Sequence, residues 1–334
     1  MVTNRDNVLD VLSGIFILRM VYTHTCMYAG LDDHTVLFDI SGMFLMWFFF
    51  KGGLLVKETK KYPEILVSSR KKLLKPFICL AIISIILDSV LYLMDTVNGG
   101  GYYHSNEIIR TIGSLAINGS PHSNMPIWFL FSYFVVRVFF GCQRTFFKQI
   151  SFWGVLLVCV LIPYLLHFCS FRYPYYFANI FIGLLGYYIG YIYKKRAEKY
   201  ANILVPISAF LYIGIFVLCH SVVDIRTNTL YSGYYLLWIL WSISGCMFFY
   251  YIFNKIRFLS QFFTVLGIAR IGELSMTVLV LHWPALIMAD FVKFYCLDIP
   301  KNYCVIYYLT IVLVVSVVLH KYLKQTKLKF LIGL

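Results

Sequence analysis

The sequence predicts an all-α integral membrane protein, a polytopic bundle of about ten transmembrane helices with both termini in the cytoplasm. Three observations carry this reading. Of 334 residues, 60% are hydrophobic and 13% charged, and a mean hydropathy of +0.77 lies far above what a soluble domain tolerates. Apolar runs of about 18 to 25 residues recur from near residue 9 to residue 323, leaving no room for a sizeable soluble domain between them. The net charge of +14 is gathered into short basic clusters between the runs. Membrane topology imposes such clusters, and they give no sign of nucleic-acid binding.

Reading apolar runs against breakers gives helices near 9–28, 36–57, 73–95, 125–143, 151–169, 175–193, 202–222, 230–253, 268–291 and 303–323. The first run is interrupted by Asp6 and Asp10 and lacks a small-residue cleavage site, so it is read as a retained span. With the N-terminus inside, Arg5, the Lys57–Lys75 cluster, Arg144, Lys148, the Lys194–Lys199 cluster, Lys255, Arg257, Arg270 and the tail lysines share the cytoplasmic side. Only Arg110, Arg172, Arg226, Lys293 and Lys301 fall outside. The longest outer connection, about 96–124, is rich in Gly, Asn, Ser and His and is placed to cover a site from that face. The whole chain, 1–334, reads as a single membrane-embedded domain without an internal repeat and without the paired broken helices of many secondary transporters.

The nine cysteines lie mostly inside apolar runs, with no C-x-x-C pair and no metal-type spacing to histidine, and are read as small core hydrophobes. Charged or titratable side chains inside spans are costly and therefore functional candidates: Asp10, Arg19, His24, Asp39, Lys51, Asp88, Arg137, Glu273, His282 and Asp290. For Asp88, Arg137 and Asp290, near span ends, snorkelling or an interfacial hydrogen bond is the simpler explanation. In the first helix, Asp10, Ser13 and His24 fall within about 40° of one stripe, while Arg19 points about 140° from His24. His24 and His282 come out at comparable depth, so two histidines could border one cavity. A buried neutral imidazole bonded to a carbonyl or hydroxyl is the structural alternative for each. Lys72 and Lys75 stand about one turn apart at a membrane entry, a spacing suited to phosphates and equally to anionic lipid.

Several segments, in order, resemble the acyltransferase family 3 of membrane proteins, which includes O-acetyltransferases of surface polysaccharides. They are Asn7 to His24 with Asp10, Ser13 and Gly14; Trp47-Phe48-Phe49-Phe50-Lys51-Gly52-Gly53; Arg70 to Pro76 with Lys72 and Lys75; Pro126-Ile127-Trp128; the glycine-spaced Gly183, Gly186 and Gly190; and Ile271 to Pro284 with Ser275 and His282. Together they cover nearly the whole chain. Two positions depart from the family pattern. Ser13 stands where the family usually has an arginine eleven residues before its histidine, and Lys72 and Lys75 replace an arginine pair. Lysine binds phosphate as a point charge, without arginine's fork. Lys51, near the family's serine, is a candidate for the missing positive charge.

The resemblance implies transfer of an acyl group, usually acetyl from cytoplasmic acetyl-CoA, to a hydroxyl of a cell-surface or lipid-linked saccharide, by a multi-pass enzyme of the bacterial cytoplasmic membrane. It needs no tightly bound cofactor or metal; acyl-CoA is a co-substrate, and membrane lipid, acyl-CoA and the saccharide are the partners. His24 is implied as base or acyl relay. Lys72, Lys75, Arg70 and Lys51 are implied to bind the donor, and Arg19, Trp128 and His282 to line the acceptor cavity, with the indole of Trp128 as a stacking surface. Asp10, about 21 Å from His24 along the helix, is implied to order the entrance. The alternative from another class is a carrier or flippase for a lipid-linked saccharide; a scaffold without chemistry is the third reading.

Overall fold

The computed structural model describes residues 6–31, 39–102, 107–147, 149, 151–170 and 174–334, most of them helical. Arg5, Lys148, Arg172 and the start of the expected second span lie outside the described residues. The helices are α1 (Asn7–Ala29), α2 (Phe44–Leu54), α3 (Tyr62–Ser69), α4 (Lys75–Val97), α5 (Glu107–Asn118), α6 (Trp128–Phe146), α7 (Phe152–Phe168), α8 (Tyr175–Cys219), α9 (Tyr235–Lys255), α10 (Arg257–Val265), α11 (Ile268–Glu273), α12 (Ser275–Cys296) and α13 (Lys301–Lys324). A π-helical turn, Arg70–Leu74, joins α3 to α4, and 3-10 turns occupy His122–Ile127 and Lys327–Ile332. Among the described residues, six stretches are long and apolar enough to cross a membrane, and Phe44–Leu54, Phe152–Phe168 and Ile203–Cys219 are shorter apolar helices. The chain is a polytopic all-α membrane protein.

Helix α4 shows the logic of a protein solvated by lipid. Ile78, Ile82, Ile86, Val90 and Leu93 are exposed, while Ser84, Asp88, Leu91 and Asp95 are buried at helical spacing on the other side. Asp88 accepts from the Thr111 hydroxyl at 2.7 Å, so this carboxylate within a span is hydrogen-bonded.

Several expected boundaries differ. The third span does not begin at 73; its helix starts at Tyr62, and Pro76 sits in the first turn of α4. Proline brings no N–H, and the π turn accommodates it, with the Lys75 N–H reaching back five residues to the Arg70 carbonyl. The expected sixth and seventh spans lie in one 45-residue helix, α8, because the Lys194–Lys199 run holds no glycine or proline. Residues 222 and 230–232, expected to be helical, instead form an antiparallel hairpin, Val222–Asp224 with Thr229–Ser232. Asp224 closes its turn through the Arg226 N–H and the Thr227 hydroxyl. The expected ninth span breaks at Leu274 into α11 and α12. The 96–124 connection holds α5 and the first 3-10 turn as well as loop.

The chain divides into two compact units. The first comprises residues up to Ile17, Thr35–Val67 and Val135–Glu273. There α2 lies against α8, which is flanked by α7 and α9. Glycine permits the α2–α8 approach: a Cβ on Gly53 would overlap the Tyr187 carbonyl, one on Gly190 the Phe50 carbonyl, and one on Gly183 would lie 2.6 Å from the Phe49 ring. Gly14 and Gly272 similarly let α1 and α11 meet backbone to backbone, at the Ile268 and Asp10 carbonyls. Outside the apolar segments, Lys195 bonds Glu58 at 2.8 Å and holds that carboxyl below its usual range.

The second unit comprises Leu18–His34, Ser68–Phe134 and Leu274–Leu334. Here α12 packs on α13 and on the first 3-10 turn, which also contacts α4. Carboxylates and tyrosines knit one end together. Asp95 accepts from the Tyr102 N–H and the Tyr295 hydroxyl, and Asp290 accepts from the Tyr102 and Tyr308 hydroxyls.

Gly190→Val is expected to destabilise the protein by about 3 kcal/mol or more, since backbone must move to admit it. Gly214→Ala in the same helix, where an added Cβ meets nothing within 4 Å, should be neutral or stabilising by up to about 1 kcal/mol. Thermal unfolding of the detergent-solubilised variants checks both.

Candidate functional site

One polar arrangement of the second unit is built around a proline. Pro284 lies inside α12 and brings no N–H to the carbonyl four residues earlier, that of Val280. In a membrane an open carbonyl needs another donor. Asn124 supplies it: its Nδ2 donates to Val280 O at 3.0 Å, and the side chain is 1% exposed. The 3-10 turn holding Asn124 departs from helical backbone at that residue, φ −148 and ψ 63. Its neighbour Ser123 donates to the Ser84 carbonyl of α4 at 2.9 Å.

Two residues beyond Val280, the fully buried His282 turns its Nδ1 towards the carbonyl oxygens of Val278 and Leu279, at 2.9 and 3.0 Å. Carbonyls only accept, so Nδ1 carries the hydrogen. In the neutral ring Nε2 is then the acceptor, and His24 Nδ1 lies 2.9 Å from it. The two rings are parallel to within 5° with centroids 5.1 Å apart, an edge-to-edge geometry suited to an in-plane hydrogen bond. His24 therefore donates through Nδ1 and keeps its lone pair on Nε2. A chain of fixed tautomers runs from two backbone carbonyls through His282 to a half-buried imidazole able to take a proton.

Aromatic rings enclose this pair. Trp283 stands nearly perpendicular to His24 with centroids 4.8 Å apart, Tyr28 is 5.7 Å from Trp283, and Tyr308 is 6.0 Å from Tyr28. Leu91, Ile287 and Phe291 form one buried cluster with Trp283.

The other expected site residues are distributed as follows. Arg70, Lys71 and Lys72 lie in the π turn and Lys75 at the head of α4, all exposed. The Lys75 ammonium stands 4.1 Å from the Phe330 ring centroid, in a C-terminal 3-10 turn capped by Thr326 that had no sequence signal. Arg19 is half-buried on α1, and Trp128 is buried at the start of α6 against Phe129. The indole against His24 is that of Trp283. Lys51, Asp10 and Ser13 meet within the first unit. Lys51 Nζ lies 2.7 Å from Ser13 Oγ and 3.8 Å from an Asp10 oxygen, and Trp47 Nε1 donates to Ser13 at 3.3 Å. The cation considered as a substitute for arginine at position 13 thus reaches the Ser13 hydroxyl from α2.

Sequence reasoning missed Asn124 and Trp283. Pro284 was the available signal for Asn124, since a proline within a span announces an open carbonyl four residues back. Trp283 was one ring among many in a chain that is 19% aromatic.

Asn124→Leu keeps the bulk and removes the donor, leaving the Val280 carbonyl unpaired. A loss of about 1–3 kcal/mol is expected, measured by unfolding in detergent.

No individual curated protein and no solved structure matches the chain. A family model described as an acyltransferase domain, that of the acyltransferase 3 family, matches residues 6–322. With nearly its whole length matched, the chain belongs to the acyltransferase 3 family of membrane proteins.

Proposed function

We propose that this acyltransferase moves an acyl group, acetyl first among them, from cytoplasmic acyl-CoA to a hydroxyl of a cell-surface or lipid-linked saccharide, in the cytoplasmic membrane of a bacterium. The observation that carries the site assignment is the tautomer chain through His282 to His24. A saccharide hydroxyl is too weak an acid to attack a thioester unaided, so a positioned base is the first requirement. The acceptor hydroxyl attacks the thioester carbonyl carbon while its proton passes to His24 Nε2. A C–O bond forms and the carbonyl π electrons move onto oxygen. On collapse the carbonyl re-forms, the C–S bond breaks, and the departing thiolate takes the proton back from His24. His282 acts as a positioning residue, holding His24 in the tautomer whose basic nitrogen is Nε2.

Lys72, Lys75 and Arg70 are assigned to the phosphates of the donor, on the strength of their exposure along one helical stretch. The ammonium of Lys75 over Phe330 has its stem already ordered. Arg19 and Trp128 remain assigned to the acceptor cavity. Lys51, with Asp10 and Ser13, is assigned to ordering the donor entrance; its ammonium is engaged by those two side chains.

Membranes containing equal amounts of wild type and variants, supplied with radiolabelled acetyl-CoA, test the reading. His24→Ala should lower transfer of label to saccharide by about 10²-fold or more, and His282→Leu by a comparable factor through kcat. Lys72→Ala/Lys75→Ala should raise KM for acetyl-CoA by about tenfold or more with kcat little changed. Wild-type rates in His24→Ala would remove that residue from the mechanism. Saccharide translocation without label transfer would favour a carrier.

A further inference from the structure

Among the described residues, the indole N–H of Trp283 has no hydrogen-bond acceptor. The side chain is 5% exposed, and its buried neighbours Leu91, Ile287 and Phe291 are hydrocarbon. A buried donor without a partner costs free energy that a phenylalanine at the same place would not. Trp241 also leaves its indole nitrogen without a partner, but it stacks on Tyr212 in the first unit. Trp283 instead stands with its ring centroid 4.8 Å from that of His24.

We infer that Trp283 is a catalytic residue whose indole N–H stabilises the oxygen of the tetrahedral intermediate formed beside His24. The inference rests on the acyl-transfer reading above. That reaction puts a full negative charge on what was the thioester carbonyl oxygen, and a preorganised donor in a water-poor site stabilises that charge most effectively. The chemistry also explains why the donor is otherwise idle. Its acceptor arrives with the acyl thioester, reaches full charge only in the intermediate, and leaves when the carbonyl re-forms and the thiolate departs. Its ring is positioned by Tyr28, by the Leu91–Ile287–Phe291 cluster and by its chain neighbour His282, whose Nδ1 is tied to two carbonyls. The donor and the base thus share adjoining supports.

The test replaces Trp283 in the full-length membrane protein by 3-benzothienylalanine, which keeps the bicyclic shape and exchanges N–H for sulfur, with Trp283→Phe as a second variant. Transfer from radiolabelled acetyl-CoA is measured alongside His24→Ala, together with KM for acetyl-CoA and the thermal midpoint. The expected result is a fall in kcat of about 10²–10³-fold in both variants, with KM within about threefold and the benzothienyl protein melting with wild type. A benzothienyl protein with kcat within threefold of wild type, or with the loss confined to KM, overturns the assignment while an inactive His24→Ala leaves the transfer reading standing. Full activity in His24→Ala, or no transfer by wild type, overturns that reading and this assignment with it.

Discussion

The Val280 carbonyl is the point at which α12 is tied to the turn that packs beside the histidine pair. Pro284 deprives it of a helical donor, and the hydrocarbon of a bilayer offers no water to replace one. Asn124 answers from a different segment, and in doing so fixes the 3-10 turn against α12 at the depth of His282. Beside that clamp, His282 commits Nδ1 to the Val278 and Leu279 carbonyls of its own helix, and that commitment sets the choice of nitrogen on His24. In water the same proline would be a local kink with a hydrated carbonyl. In lipid it recruits a partner, and the partner brings a loop.

The two units solve packing differently. In the first, small residues do most of the work; Gly53, Gly183, Gly186 and Gly190 bring α2 and α8 close enough for carbonyl and ring contacts that any side chain would block. In the second, polar pairs are prominent: Asp88 with Thr111, Asp95 and Asp290 with tyrosines, and Asn124 with a carbonyl. Both are ways of holding helices together where apolar burial alone gives little preference, because lipid is as apolar as leucine.

Much of the fold was legible because lipid writes a coarse pattern. Apolar stretches placed most helices within a few residues, and histidines inside them stood out against leucine and phenylalanine. His24 and His282, set at similar depth by counting along two helices, do meet. What stayed hidden depends on tertiary partners or on the absence of a breaker. The start at Tyr62 was obscured because Pro76 reads as a beginning when it sits after a π turn. The length of α8 was obscured because a charged run reads as a loop. Asn124 lies in a stretch of Gly, Ser, Pro and His that looks like any outer connection, and its role exists only relative to Val280. The meeting of Lys51 with Ser13 had a sequence rationale, a displaced positive charge, but the hydrogen bond itself belongs to the packing of α2 on α1.

On the His282 side the histidine pair ends on carbonyl dipoles. A carboxylate behind a histidine supplies a full counter-charge, and an imidazolium beside it can persist. Carbonyl oxygens supply orientation with only partial charge. On the His282 side the pair is therefore oriented by its own helix without a full counter-charge.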